Sequence, residues 1–211
     1  MTITKFGHSC LLIEQNGTRI LTDPGVWTSQ QNDLTAVDII IITHQHPDHF
    51  SINSVKALIA NNPRAQIITN SRVGELLKTE GIAFQILENT QTNEINGITI
   101  EAIGNDHAVL HSSIPCIQNT GYLIADRLFF PGDSYTIPSH PVELLALPVA
   151  GPWLKLQDCI DYALAVKPNV CFPIHDGILK SPGGAHLIPP QVLEPAGIKF
   201  QILEIDKEYE F

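Results

Sequence analysis

Val37-Asp38-Ile39-Ile40-Ile41-Ile42-Thr43-His44-Gln45-His46-Pro47-Asp48-His49-Phe50 sets the architecture of this chain. Its first part is a β-branched run, which reads as a strand buried on both faces. Its second part packs three histidines and an aspartate into six residues. Such a cluster has little packing value on a loop. Placed just past a buried strand, it is a set of metal ligands held by a rigid scaffold and open to a cleft. Imidazole together with carboxylate suits zinc, and also iron or manganese.

The segments around it read as alternating strands and helices. Cys10–Glu14 and Thr18–Thr22 flank Asn16-Gly17, a strong hairpin signal. Ser51 is placed to cap a helix over Ile52–Ala60, and Asn61-Asn62-Pro63 stops it. Gln66–Thr69 reads as the next strand, and Ser71 as the cap of a second helix running to Lys78. Strands are expected at Ala83–Leu87, Thr92–Ile95, Ile98–Ile103, Gly121–Ala125, Leu128–Phe130, Leu144–Val149 and Asn169–Pro173, with an amphipathic helix over Lys155–Val166. Gly81-Ile82-Ala83-Phe84-Gln85-Ile86-Leu87-Glu88 recurs as Gly197-Ile198-Lys199-Phe200-Gln201-Ile202-Leu203-Glu204. Chance is one reading of that echo. The other is two similar halves, each ending in a helix–strand unit, which would give a pseudo-symmetric pair of sheets.

His44-x-His46-x-Asp48-His49 after a hydrophobic strand resembles the signature of the metallo-β-lactamase superfamily. Later elements of the family pattern follow in order: Thr22-Asp23-Pro24, Asp106-His107, Phe130-Pro131-Gly132-Asp133-Ser134 and Phe172-Pro173-Ile174-His175-Asp176. The resemblance covers roughly Phe6–Asp176 and implies an αββα sandwich of two mixed sheets flanked by helices, with residues 1–211 forming a single domain of that kind. It further implies two divalent metal ions, zinc in the first instance with manganese or iron as alternatives. His44, His46 and His107 would hold the first and Asp48, His49 and His175 the second, with Asp133 bridging. Asp48, Asp133 and His175 would be the catalytic group, around water activated by the ions. Asp23 would orient a ligand histidine through its ring N–H.

The third histidine is read as His107, the nearer to a strand end, with His111 as its competitor or as a pocket residue. His8, in Gly7-His8-Ser9, is either a pocket residue facing the metals or a hydrogen-bonded structural histidine. Its setting is similar to the opening of the lactonase-like and phospholipase-like branches of the family. Tyr135 and Trp153, like Trp27 and Phe50, are candidate pocket walls or ordinary packing. His140 and His186 read as surface histidines, and Lys155 and Lys180 as solvated. Ser134 has no base partner in the sequence pattern and is rejected as a nucleophile.

Bulk composition narrows the classes. With 44% apolar and 16% charged residues the chain supports a substantial core, and a net charge of −10 argues against a nucleic-acid partner. The first residues show no basic stretch followed by an apolar one, so no signal peptide is expected, and no apolar run reaches the ~20 residues of a membrane span. The four cysteines form no C-x-x-C pair and read as reduced side chains of a cytoplasmic protein. The reading that results is a hydrolase acting with a metal-activated water on a small ester, lactone or phosphoester, with an anionic group on the substrate left open. Two alternatives stand beside it: a phosphodiesterase or nuclease like the tRNA 3′-processing enzymes, and a non-hydrolytic metal-binding or redox protein on the same scaffold. The oligomeric state is left open.

Overall fold

The computed structural model describes residues 1–211. Fourteen strands form two seven-stranded sheets. The first is built from β1 (Thr2–Gly7), β2 (Cys10–Gln15), β3 (Thr18–Thr22), β4 (Ile39–Ile42), β5 (Gln66–Thr69) and β6 (Gln85–Ile86), in that spatial order. The second runs from β7 (Thr92–Ile95) through β8 (Ile98–Ile103), β9 (Gly121–Ile124), β10 (Leu128–Phe130), β11 (Leu144–Pro148) and β12 (Val170–Ile174) to β13 (Lys199–Phe200). The last strand, β14 (Glu208–Glu210), returns to pair antiparallel with β1.

The four consecutive isoleucines of β4 show why the motif strand is apolar throughout. Ile39 and Ile41 point into the core between the sheets, while Ile40 and Ile42 point outward under the helices. Those helices are α1 (Ile52–Asn61) and α2 (Ser71–Thr79), which contribute Val55, Leu58, Val73 and Leu77 to the outer layer. On the other side, α3 (Leu156–Val166) and the short α5 (Pro189–Leu193) cover the second sheet with Cys159, Ile160, Ala163 and Leu193. A one-turn helix, α4 (Gly184–Leu187), precedes α5. The order of layers is therefore helix, sheet, sheet, helix, the metallo-β-lactamase sandwich. No helix is long and apolar enough to cross a membrane.

The internal echo has a counterpart in topology. Along β1 to β6 the neighbours pair antiparallel, antiparallel, parallel, parallel, parallel, and β8 to β13 repeat that series. Both echo segments form the parallel edge strand of their sheet. The paired residues are offset by two positions, Gln85-Ile86 in one copy and Lys199-Phe200 in the other.

Several local expectations are corrected. The cap of α2 is Asn70, whose side chain accepts from the Val73 amide at 3.1 Å, and Ser71 is already helical. The strand expected over Ala83–Leu87 is only two residues long, and α3 begins at Leu156. Ser51 caps α1 as expected, accepting from the Ser54 amide. β1 and β14 had no signal in the sequence. β1 carries Lys5 on the face that Ile3 buries in the core, which breaks its apolar stripe.

Candidate metal centre

Five chain segments deliver polar side chains to one edge of the sandwich, each just beyond the end of a strand. Asp23 follows β3, the His44–His49 loop follows β4, His107 lies beyond β8, Asp133 follows β10, and His175 follows β12. Two glycines make the convergence sterically possible. A Cβ on Gly25 would lie 1.9 Å from the Asp48 carbonyl oxygen, so the first loop can cross the second only at glycine. Gly132, at φ +63°, leaves no room for a Cβ against Asn119 Oδ1 and the Thr43 side chain.

The imidazoles are oriented from behind. His107 Nδ1 donates to the Ala108 carbonyl and His175 Nδ1 to the Ala150 carbonyl, both at 2.6 Å. His49 Nδ1 donates to Asp23 Oδ2 at 2.7 Å. His44 Nδ1 donates to Thr43 Oγ1 at 3.0 Å, and that hydroxyl donates to Asp23 Oδ2 at 2.8 Å. Carbonyl and carboxylate oxygens only accept, so the proton sits on Nδ1 and the Nε2 lone pair faces inward. Asp23 is fully buried and also accepts from the Thr43 amide at 2.8 Å. It thus ties β3 to the metal loop and fixes two imidazoles at once.

The inward atoms converge on Asp133. Its Oδ1 is 3.1 Å from His49 Nε2, and its Oδ2 lies 3.2 Å from His107 Nε2 and 3.0 Å from His175 Nε2. The Trp153 indole donates to the same Oδ2 at 3.1 Å, and the Asp133 amide donates to Asn119 Oδ1 at 3.0 Å. His44 Nε2 is 3.1 Å from His46 Nδ1.

These contacts test whether a metal fits. The Nε2 atoms of His49, His107 and His175, and Asp133 Oδ1, are buried without a hydrogen-bond partner. Lone pairs held against one another with no proton between them are costly unless a cation lies among them. The donor atoms of His44, His46, His107 and Asp133 lie within 4.8 Å of one another, and so do those of His8, Asp48, His49 and His175. The donor set fits divalent ions.

The electrostatics of the cluster agree. Burial, the neighbouring His49 and the other imidazoles of the cluster hold His44 well below the ordinary histidine value, with Asp133 opposing them. Burial also works against a charged His49, but the Asp133 and Asp23 carboxylates outweigh it and hold that imidazole well above its ordinary value. Burial would raise Asp133, yet His49, His107 and His175 hold it well below the usual carboxylate range.

The remaining sequence candidates are placed as follows. His8 is buried, with Nε2 3.1 Å from Asp48 Oδ2, and burial lowers its pKa to about 4. His111 stands outside the cluster: it is exposed, bonded to Ser113 Oγ, and borders a second cleft beside His46 and His107. Tyr135 packs edge-on against Trp153 at 5.3 Å and does not reach the central cavity, so as a wall of that cavity it is displaced by Trp153. Phe50 belongs to the outer core under α1. His140 is exposed and bonded to Glu101, as expected for a surface histidine. His186 is not a free surface residue: it lies 2.9 Å from Asp176 Oδ2, whose Oδ1 pairs with the buried Lys5 at 2.6 Å.

Sequence reasoning missed Asn119, Lys5, Leu110 and Ile178. Lys5 gave no signal, because a charge stands where the apolar stripe begun by Ile3 would continue. Leu110 and Ile178 lie on irregular loops where no periodicity exists to read.

Residues 2–175 match the profile of the β-lactamase superfamily domain. The chain belongs to the metallo-β-lactamase superfamily. Among similar proteins, Protein Rv0786c of Mycobacterium tuberculosis is 36% identical over 208 residues, 96% of each chain. A UPF0173 metal-dependent hydrolase of Staphylococcus saprophyticus is 28% identical over 202 residues, covering 83% of this chain and 85% of its own. Igni18, a metallo hydrolase of the archaeon Ignicoccus hospitalis, shares the fold at a TM-score of 0.78 and 18% identity, over 100% of this chain and 98% of its own.

Proposed function

We propose that this metal-dependent hydrolase holds two divalent ions, zinc in both positions or in one, and cleaves an uncharged ester or lactone that carries an apolar substituent. His44, His46 and His107 would hold the first ion, and Asp48, His49 and His175 the second, with Asp133 between them. When bound, such ions polarise a scissile carbonyl and supply a nucleophilic water near neutral pH. The protein's part is positional. Asp23, Ala108 and Ala150 fix the imidazole rings, and the Trp153 indole steers Asp133 Oδ2.

The observation that carries the substrate reading is a contrast within one cavity of about 420 Å3. His46, Asp48, His107, Asp133 and His175 give it a polar side, and the buried Trp153 with Trp27, Leu110, Pro152 and Ile178 gives it an apolar one. No lysine or arginine lines it, so a phosphate arm held away from the ions would find no countercharge. Apolar walls around a few convergent polar groups are the usual build of a small-molecule site. Two sheets closing on a common core support the reading of residues 1–211 as one domain. Four unpaired cysteines support a reducing compartment, the cytoplasm, and the net charge of −10 supports a partner other than nucleic acid.

The test is a series of p-nitrophenyl esters and lactones of increasing acyl length, beside a sugar-phosphate lactone and bis(p-nitrophenyl) phosphate. Each buried methylene contributes about 0.8 kcal/mol, so kcat/KM should rise about fourfold per carbon until the cavity is full. A flat series, or a preference for the phosphorylated lactone, would refute the apolar reading. Turnover of the phosphodiester alone would move the assignment to the phosphodiesterase class.

A further inference from the structure

The two-ion assignment leaves one buried imidazole unused. His8 lies in the turn between β1 and β2, is only 3% exposed, and takes the left-handed backbone conformation at φ +48°. Its ring centroid is 4.0 Å from that of His175 and 5.3 Å from that of His49, and Trp27 packs edge-on against it at 4.4 Å. The backbone is tied to the same place, because the His175 amide donates to the His8 carbonyl at 3.1 Å. The two ring nitrogens differ sharply. Nδ1 is buried without a partner and faces Gly177, where an added Cβ would come within 3.2 Å of it. Nε2 points the other way, 3.1 Å from Asp48 Oδ2.

That separation matches those between the assigned ligand atoms: 3.1 Å for His44 Nε2 to His46 Nδ1, and 3.1 Å for His49 Nε2 to Asp133 Oδ1. The donor atoms of His8, Asp48, His49 and His175 also span no more than the 4.8 Å that contains the His44, His46, His107 and Asp133 set. We propose that His8 Nε2 is a protein ligand of the second ion, an inference that rests on the two-ion reading above. The second site then has five protein donors, namely His8, Asp48, His49, His175 and the bridging Asp133. The first has four: His44, His46, His107 and Asp133. The two positions are therefore unequal. Five donors suit an ion of coordination number above four, such as manganese or iron. The four donors of the first would suit zinc.

A hydrogen bond from His8 to Asp48 would give the same 3.1 Å separation, so the test must separate ligation from donation. Zinc is titrated against a competing chromophoric chelator into the wild-type chain, His8→Ala and His8→Gln. The glutamine amide reaches the same position and still donates to Asp48, but it is a poor zinc ligand. The inference expects the first equivalent to bind as in wild type in all three, and the second to weaken at least 100-fold in both variants. Wild-type affinity for both equivalents in His8→Gln, within threefold, would overturn it. A second measurement needs no variant. In zinc-loaded wild-type protein labelled with 15N-histidine, six of the nine imidazoles should show metal-bound nitrogen shifts. Five, with His8 among the unshifted, would overturn the inference while leaving two ions in place. A wild-type chain that takes up no metal would overturn the two-ion reading itself.

Discussion

Replacing Asp23 by alanine isolates the residue that holds the centre from behind. The carboxylate is fully buried and accepts three hydrogen bonds: from the Thr43 amide at 2.8 Å, from Thr43 Oγ1 at 2.8 Å and from His49 Nδ1 at 2.7 Å. Removing it strands a buried amide and a buried imidazole N–H, each costing about 1–3 kcal/mol. The threonine hydroxyl still accepts from His44 Nδ1 and loses only its own donation to Asp23. Together these give a destabilisation of about 3–5 kcal/mol, in the range for breaking a buried charged pair. For a chain of this size that lowers the melting temperature by roughly 6–20 °C. Released from its anchor, the His49 ring can rotate, and metal affinity should fall about 10–100-fold. Urea unfolding gives the first quantity and chelator competition the second. A variant that loses less than about 1 kcal/mol and binds metal as wild type does would refute the orienting role of Asp23, since that lies below the cost of one stranded donor.

Three further outcomes follow from named contacts. Gly25→Ala places a Cβ 1.9 Å from the Asp48 carbonyl oxygen, so the metal loop must shift; the variant should unfold earlier by more than about 3 kcal/mol and lose metal, as read by denaturation and metal analysis. Trp27→Ala removes an aromatic that is 47% exposed; stability should change by less than about 0.5 kcal/mol, while KM for a long-chain ester rises with kcat unchanged. Ser51→Ala deletes the acceptor for the Ser54 amide and should cost about 1 kcal/mol in urea unfolding without altering metal content.

Much of the fold was legible because one strand and one loop carry it. Ile39–Ile42 announces a strand covered on both faces, and the ordered motifs give the sandwich around it. What escaped notice has physical causes. β1 is interrupted by Lys5, a charge that belongs inside only because Asp176 and the Pro173 carbonyl meet it there. β14 is Glu208-Tyr209-Glu210, with both glutamates exposed. It pairs through its backbone and offers no apolar pattern. Asn70 and Ser71 are both good caps, and only the backbone decides that the helix starts after the first. At the site, spacing brings His44, His46, Asp48 and His49 together on one loop. The choice between His107 and His111 depends on where the loop after β8 turns: it buries the first beside Asp133 and leaves the second in solvent. The apolar cavity residues Leu110 and Ile178 sit on loops that only the folded chain brings together.

Two bound ions are tested by metal content, read by inductively coupled plasma mass spectrometry on protein purified without added metal. The same sample is assayed on the ester, lactone and phosphodiester panel before and after chelation. The two-ion hydrolase predicts close to two equivalents of divalent metal per chain, turnover of an apolar ester or lactone, and loss of both on chelation with recovery on adding zinc. No stoichiometric metal, or turnover that survives its removal, would contradict it.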